Sequence, residues 1–211
     1  MFTGIVSHVG RISNVQPQEV GGEAAGVRLT IQAPGFLRDS NQLGDSIAIE
    51  GACMTVVAIP DEYRDAFVVD VSRESLDKTV GLDAIGEVNL EHALRLGDSL
   101  DGHLVSGHID GMAIVTRFTP VGESWELGLQ IPAEFARYMA YKGSVTINGV
   151  SLTINTVTDN AQGCEISINL IPHTLEVTTL KNLQEGDAVN FEVDMLARYV
   201  ERMASYRPVA V

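Results

Sequence analysis

Cysteine is scarce: only Cys53 and Cys164 occur in 211 residues, and neither sits in a CxxC pair or beside histidines at metal-ligand spacing. A disulfide framework and the common zinc modules are therefore excluded, and two free thiols suit a reducing compartment. Basic residues are few as well. Lys plus Arg number 14 against 28 Asp plus Glu, and the resulting net charge of −14 repels nucleic acid and anionic membranes. Aromatics, at 6%, are not interleaved with basic side chains as a single-strand-binding barrel requires. No apolar run approaches the roughly 20 residues that span a bilayer. The start, MFTGIVSHVG, has no basic segment, so a cytoplasmic protein without membrane or nucleic-acid partners is expected. GxGxxG and GxxxxGK[ST] are missing, and no Arg/Lys cluster could cradle a phosphate, which argues against a nucleotide substrate.

What the chain does contain is a repeat. Residues 51–56 read GACMTV and residues 149–154 read GVSLTI, an offset of 98. At that same offset Gln32, Pro34, Ser46, Ile49 and Thr55 recur as Gln130, Pro132, Ser144, Ile147 and Thr153. With small shifts, TGIV at 3–6 resembles SGHI at 106–109, ESLDKT at 74–79 resembles HTLEVT at 173–178, and GEVNLE at 86–91 resembles GDAVNFE at 186–192. Two copies make a duplicated domain rather than a solenoid.

Within each half the signals are mostly β. Residues 27–31, 46–49, 54–57 and 67–71 are short β-branched or alternating runs bounded by turn residues. About six such strands per half predict a small closed barrel, because closure removes exposed sheet edges. Residues 17–26 are expected to be a surface loop. A helix is predicted from Pro132 to a stop at Gly143, with a looser counterpart after Pro34. A last helix is predicted after Asp194, an N-cap, with Leu196, Tyr199, Met203 and Tyr206 spaced as a heptad seam. That seam packs on its own barrel or meets copies of itself; its period does not choose.

Polar groups capable of chemistry lie in the repeated stretches. Cys53 with Thr55, and Ser151 with Thr153, stand two apart on strands, so each pair shares a face. Such a pair orients a heteroaromatic ligand or adds to an electrophilic carbon, although a lone Cys is more often a packed apolar group. His103 and His108 in GHLVSGHID are five apart, which on a strand sends them to opposite faces and disfavours a two-His metal site. His108 is the better general acid or base candidate. Ser75 and Thr174 read as caps or as backbone donors to a ligand, Lys142 as a helix-end cation or a ligand contact, and Asp194 as a cap or a hydroxyl acceptor.

Taken together, MFTGIV, G-x-C-x-T-V, NGVSLT, GHLVSGHID and IPHTLEVTTL resemble the riboflavin synthase family along nearly the whole chain. The resemblance implies an all-β chain of two similar six-stranded antiparallel Greek-key barrels, at 1–97 and 98–193, plus a trimerisation helix and tail at 194–211. It implies dismutation of two 6,7-dimethyl-8-ribityllumazine molecules to riboflavin and 5-amino-6-ribitylaminouracil, the last step of riboflavin biosynthesis. No cofactor or metal is implied; a homotrimer is, and for some members enclosure by lumazine synthase. An N-terminal pocket of Gly4, Ile5, Val6, Cys53, Thr55, Glu74 and Ser75 is implied, with Ser46 also a substrate contact. A C-terminal pocket would hold Gly107, His108, Ile109, Ser151, Thr153, Ile171, Thr174 and Asp194, with Lys142 from an adjacent chain. On this basis His108 and Ser151 or Thr153 help remove a 7-methyl proton from one lumazine, and Cys53 approaches C7 of the other. Glu50 departs from the family, standing where an Asn often precedes the first Gly. Non-catalytic lumazine proteins, antennae that bind one chromophore, are the alternative; the retained His108 and the hydroxyls of NGVSLT favour the enzyme.

Overall fold

The computed structural model describes residues 1–21, 23–60 and 65–207. Twelve strands form two closed antiparallel barrels of six. The first comprises β1 (His8–Val20), β2 (Glu23–Gln32), β3 (Ser46–Ile49), β4 (Ala52–Ala58), β5 (Ala66–Ser72) and β6 (Gly86–His92), paired in the ring order β1-β2-β5-β4-β3-β6. The second comprises β7 (Gly111–Val121), β8 (Ser124–Pro132), β9 (Ser144–Ile147), β10 (Val150–Asn160), β11 (Gly163–Leu170) and β12 (Ala188–Val193), and its ring repeats that Greek-key order.

Side-chain alternation explains why the strands close as they do. On β4, Ala52, Met54 and Val56 are buried inward while Cys53 is half-buried and Thr55 exposed. On β10, Val150, Leu152 and Ile154 repeat the inward set and Ser151 and Thr153 the outward one. The repeated polar pairs therefore stand on the outer barrel walls, and the interiors fill with residues such as Leu29, Ile47, Phe67 and Leu90, or Leu129, Ile147, Ile166 and Phe191.

Three expectations change. Residues 17–20 and 23–26 are not a loop but the paired ends of β1 and β2, with Pro17 opposite Val27 and Gln18 opposite Gly26. No helix follows Pro132: this residue ends β8 opposite Gly163, and the next stretch supplies only a 3-10 turn, Ala136–Tyr138. Packing overrides propensity there, since Phe135 must set its ring edge-on to Phe191, centroids 5.1 Å apart, and Met139 must be buried. Its counterpart after Pro34 is likewise only a turn. Helices instead follow the fifth strand of each barrel, α1 (Arg73–Lys78) and α2 (Pro172–Val177), where caps or turns were expected.

The barrels meet through the tips of equivalent hairpins. Glu50-Gly51 joins β3 to β4, Asn148-Gly149 joins β9 to β10, and all four residues have positive φ, the signature of a two-residue primed turn. Around them Asn89 Nδ2 donates to the Asn148 carbonyl at 2.9 Å, and Asn190 Nδ2 donates to the Glu50 carbonyl at 3.1 Å. Finally α3 (Met195–Ser205) is capped by Asp194, whose Oδ1 accepts from Leu196 N at 2.8 Å.

Candidate active site

Two strap segments, residues 2–6 and 105–109, lie over the outer barrel walls. They pair with each other at Phe2 and Val105, with backbone bonds of 2.8 and 3.1 Å, and then cross to opposite barrels. Gly4 O accepts from Ser151 N at 2.7 Å, and Gly107 O accepts from Cys53 N at 2.7 Å. Both glycines have positive φ, and a Cβ on Gly107 would stand 2.7 Å from the Cys53 Cβ, or on Gly4 2.6 Å from the Ser151 Cβ. Only glycine fits either position. Past the crossing, Val6 packs on the second barrel's core and Ile109 on the first.

A buried carboxylate holds each strap. Glu91 on β6 accepts from Thr3 N at 2.7 Å, Thr3 Oγ1 at 2.8 Å and Gly4 N at 3.0 Å. Glu192 on β12 accepts from Ser106 N and Oγ at 2.7 Å each, and from Gly107 N at 2.8 Å. Burial pushes both carboxyls above the usual range, and these hydrogen bonds oppose that shift.

On the first barrel the strap closes one side of a cavity of ≈ 380 Å³ lined by Cys53, Glu74, Ser75, Lys78, Gly107 and His108. That volume accommodates a small heteroaromatic ligand. Lys78 and Glu74 pair at 3.1 Å on the rim, and a second hollow continues past Lys78 and His108 to Arg198 and Tyr199 of α3. Ser75 N is taken by Ser72 Oγ, the N-cap of α1, at 3.1 Å, so this amide is not a free ligand donor.

On the second barrel the equivalent wall carries Ser151. Its Oγ lies 2.7 Å from His103 Nδ1, and His103 Nε2 lies 3.3 Å from Thr146 Oγ1. Burial lowers the His103 pKa and favours neutral imidazole, while the charge of Asp194 acts in the opposite sense. Thr153 is exposed beside Ser151, and Ile171 and Thr174 belong to the start of α2.

The structure corrects how the expected residues are grouped. Gly4, Ile5 and Val6 do not face Cys53; they run along the Ser151 wall. Gly107, His108 and Ile109 do not share that wall; they close the Cys53 cavity. Within the chain, then, His108 accompanies Cys53 and His103 accompanies Ser151. The physical reason is the strap crossing, a long-range backbone pairing that no local pattern encodes. Ser46 lies opposite Thr55 in the β3–β4 register, on the outer wall of the first barrel. Lys142 has φ of 62° and donates from Nζ to Asn155 Oδ1 at 2.9 Å. Glu91, Glu192, Lys78 and the pairing of His103 were missed; the repeat of Glu91 at Glu192 was the available signal.

Two equivalent barrels, each with a strap laid over its outer wall and with a thiol on one where the other has a hydroxyl, define a tandem-repeat ligand-binding protein of the all-β class. The family described as lumazine binding domain matches residues 3–93 and 106–194, once per barrel. Riboflavin synthase of Brucella abortus (strain 2308) is 40% identical over 98% of this chain and 100% of its own length. That of Mycobacterium tuberculosis (strain H37Rv) is 41% identical over 96% of this chain and 98% of its own. Among solved structures, LumP complexed with 6,7-dimethyl-8-(1'-D-ribityl) lumazine aligns with a TM-score of 0.76 at 26% identity, over 92% of this chain and 99% of that one. LumP complexed with riboflavin aligns with a TM-score of 0.77 at 28% identity, over the same shares of the two chains. The chain belongs to the riboflavin synthase family.

Proposed function

We propose that the chain is a riboflavin-forming transferase: two molecules of 6,7-dimethyl-8-ribityllumazine exchange a four-carbon unit, giving riboflavin and 5-amino-6-ribitylaminouracil. What supports this is a pair of equivalent but unlike strapped walls, Cys53 and His108 lining a cavity on one barrel and Ser151 hydrogen-bonded to His103 on the other. A dismutation needs two sites for one compound that treat it differently. Cys53, at C7 of the accepting lumazine, and His108 act in the first pocket; Ser151 and Thr153 act in the second, where Gly4, Ile5, Val6, Ile171, Thr174 and Asp194 contact substrate. Thr55, Glu74, Ser75, Gly107 and Ile109 contact the lumazine of the first pocket, and Ser46 extends its wall. Fixing two reactants face to face contributes on the order of 7 kcal/mol to such a reaction.

The pockets of one chain lie on separate barrels, and the account brings them together between chains. Support comes from α3, whose Leu196, Tyr199 and Met203 are 63%, 63% and 80% exposed and form the apolar seam of a helix that needs a partner. A homotrimer through residues 194–211 joins the barrel of residues 1–97 to that of residues 98–193 in a neighbour, with Lys142 reaching across, in the cytoplasm and with a lumazine synthase shell as a further partner. The test is incubation of the purified chain with the dimethyl-ribityllumazine while riboflavin absorbance is followed. Turnover is expected; tight binding without riboflavin would favour the antenna alternative. Cys53→Ala and His108→Ala are each expected to slow turnover about 100-fold, the lower end for loss of a positioned catalytic group.

A further inference from the structure

The Ser151 wall carries a group, His103, to which the function above gives no chemical role. His103 is half-buried, its backbone N donates to Thr3 O at 3.1 Å, and its ring is fixed at both nitrogens. Two partners on one imidazole set both its tautomer and its orientation, the arrangement that makes a histidine useful to a neighbouring hydroxyl. When Nδ1 accepts the Ser151 hydroxyl at 2.7 Å, the ring proton sits on Nε2 and is donated to Thr146 Oγ1 at 3.3 Å. The residue before it, Gly102, packs so closely on Thr3 O and Ser151 that a Cβ there would lie 3.0 Å from the Ser151 Cβ, so the segment cannot swing His103 away cheaply. At Cys53, the equivalent position, no imidazole hydrogen bond is made among the described residues.

We propose that His103 is the positioning residue of the Ser151 pocket, taking the Ser151 hydroxyl proton on Nδ1 as the Ser151 oxygen removes a proton from the 7-methyl group of the lumazine bound there. The proposal rests on the lumazine dismutation above and assigns the proton-losing substrate to the second pocket. In the step the methyl C–H bond breaks and its electron pair enters the pteridine ring, leaving an exocyclic double bond at C7. The methyl proton joins Oγ while the hydroxyl proton passes from Oγ to Nδ1. Lumazine becomes an anion and imidazole an imidazolium, so charge and atoms balance. Asp194 at the head of α3 bears a charge that favours the imidazolium, and Thr146 holds the far ring nitrogen while Nδ1 faces Ser151.

The test uses the full-length chain and its His103→Asn and His103→Ala variants. Asn offers a hydrogen-bonding amide near the position of Nδ1, so it holds Ser151 but cannot take its proton. The direct readout is exchange of the 7-methyl protons of dimethyl-ribityllumazine with D2O, followed by NMR, which needs only this step and not the completed reaction. The wild-type chain is expected to accelerate exchange above buffer, and His103→Asn to bind lumazine as tightly while its exchange and its kcat for riboflavin fall about 100-fold, the lower range for a general base. His103→Ala is expected to regain exchange on addition of imidazole. Wild-type exchange in His103→Asn, no acceleration by the wild-type chain, or loss of binding and exchange in equal measure would overturn the proposal. Failure of the dismutation itself would show separately, as wild-type exchange without riboflavin.

Discussion

The oppositely placed Cys53 and Ser151 differ in one atom, yet their surroundings differ more. Each sits on an outward strand position under a glycine of the crossing strap, so the backbone around them is nearly the same. What differs is the imidazole: a strap residue, His108, for the thiol and a linker residue, His103, for the hydroxyl. Both pockets depend on a buried carboxylate that accepts three hydrogen bonds. Replacing Glu192 with Ala leaves Ser106 N, Ser106 Oγ and Gly107 N without their acceptor. Unpaired buried donors cost about 1–3 kcal/mol each, less where water enters. Glu192→Ala is expected to lower unfolding free energy by about 2–3 kcal/mol in urea titration, and to weaken lumazine binding in the Cys53 cavity. Unchanged binding would mean that the strap holds its position without the clamp. Gly107→Ala tests the same contact from the other side, since its Cβ would collide with Cys53; ligand binding is expected to be lost at this cavity.

At the scale of elements, the paired hairpin tips show what a departure from the repeat does. Asn148 satisfies its turn with its own short side chain, Oδ1 accepting from Asn190 N at 2.8 Å. Glu50 reaches further, accepting from Asn89 N at 2.6 Å and Thr179 Oγ1 at 2.8 Å, and burial raises its pKa from 4.5 to about 7 despite those bonds. A raised folded pKa on a carboxyl means that the folded state holds its proton longer than the unfolded chain does. Glu50 therefore carries no penalty below pH 4.5, costs progressively more as pH rises to about 7, and is constant above it. Glu91 and Glu192 are shifted the same way and add to that slope. Glu50→Gln keeps an acceptor for Asn89 N and offers a donor to Thr179. It is expected to stabilise the protein more at pH 8 than at pH 5, by about 2.5 kcal/mol, as read from urea midpoints. An equal effect at both values would contradict an ionising Glu50. Of these elements the strands were legible, because alternation with period two and flanking turn residues are local facts. The Pro132 helix was misread because Phe135 and Met139 answer to core partners distant in sequence. The strap crossing was invisible for the same reason: TGIV and SGHI look alike, and nothing within either says which barrel it serves.

The whole molecule is two barrels fastened by exchanged straps and a helix whose apolar seam the described residues leave bare. The Arg137–Glu201 and Arg198–Asp110 pairs, at 2.9 Å each, anchor α3 to the second barrel by its polar side. Leu196→Glu with Met203→Glu is therefore expected to leave the fold intact while sedimentation shows a monomer, and to abolish turnover by separating the two pockets. A double variant that remains trimeric would remove α3 from the interface. The duplication and the paired positions of Cys53 and Ser151 were readable from the sequence; which strap lies over which wall required the three-dimensional crossing. The central claim, that two unlike pockets act on one compound, is tested most directly by product stoichiometry. The account predicts that two molecules of 6,7-dimethyl-8-ribityllumazine disappear for each riboflavin and each 5-amino-6-ribitylaminouracil formed. One riboflavin per lumazine consumed, or lumazine bound and returned unchanged, would contradict it.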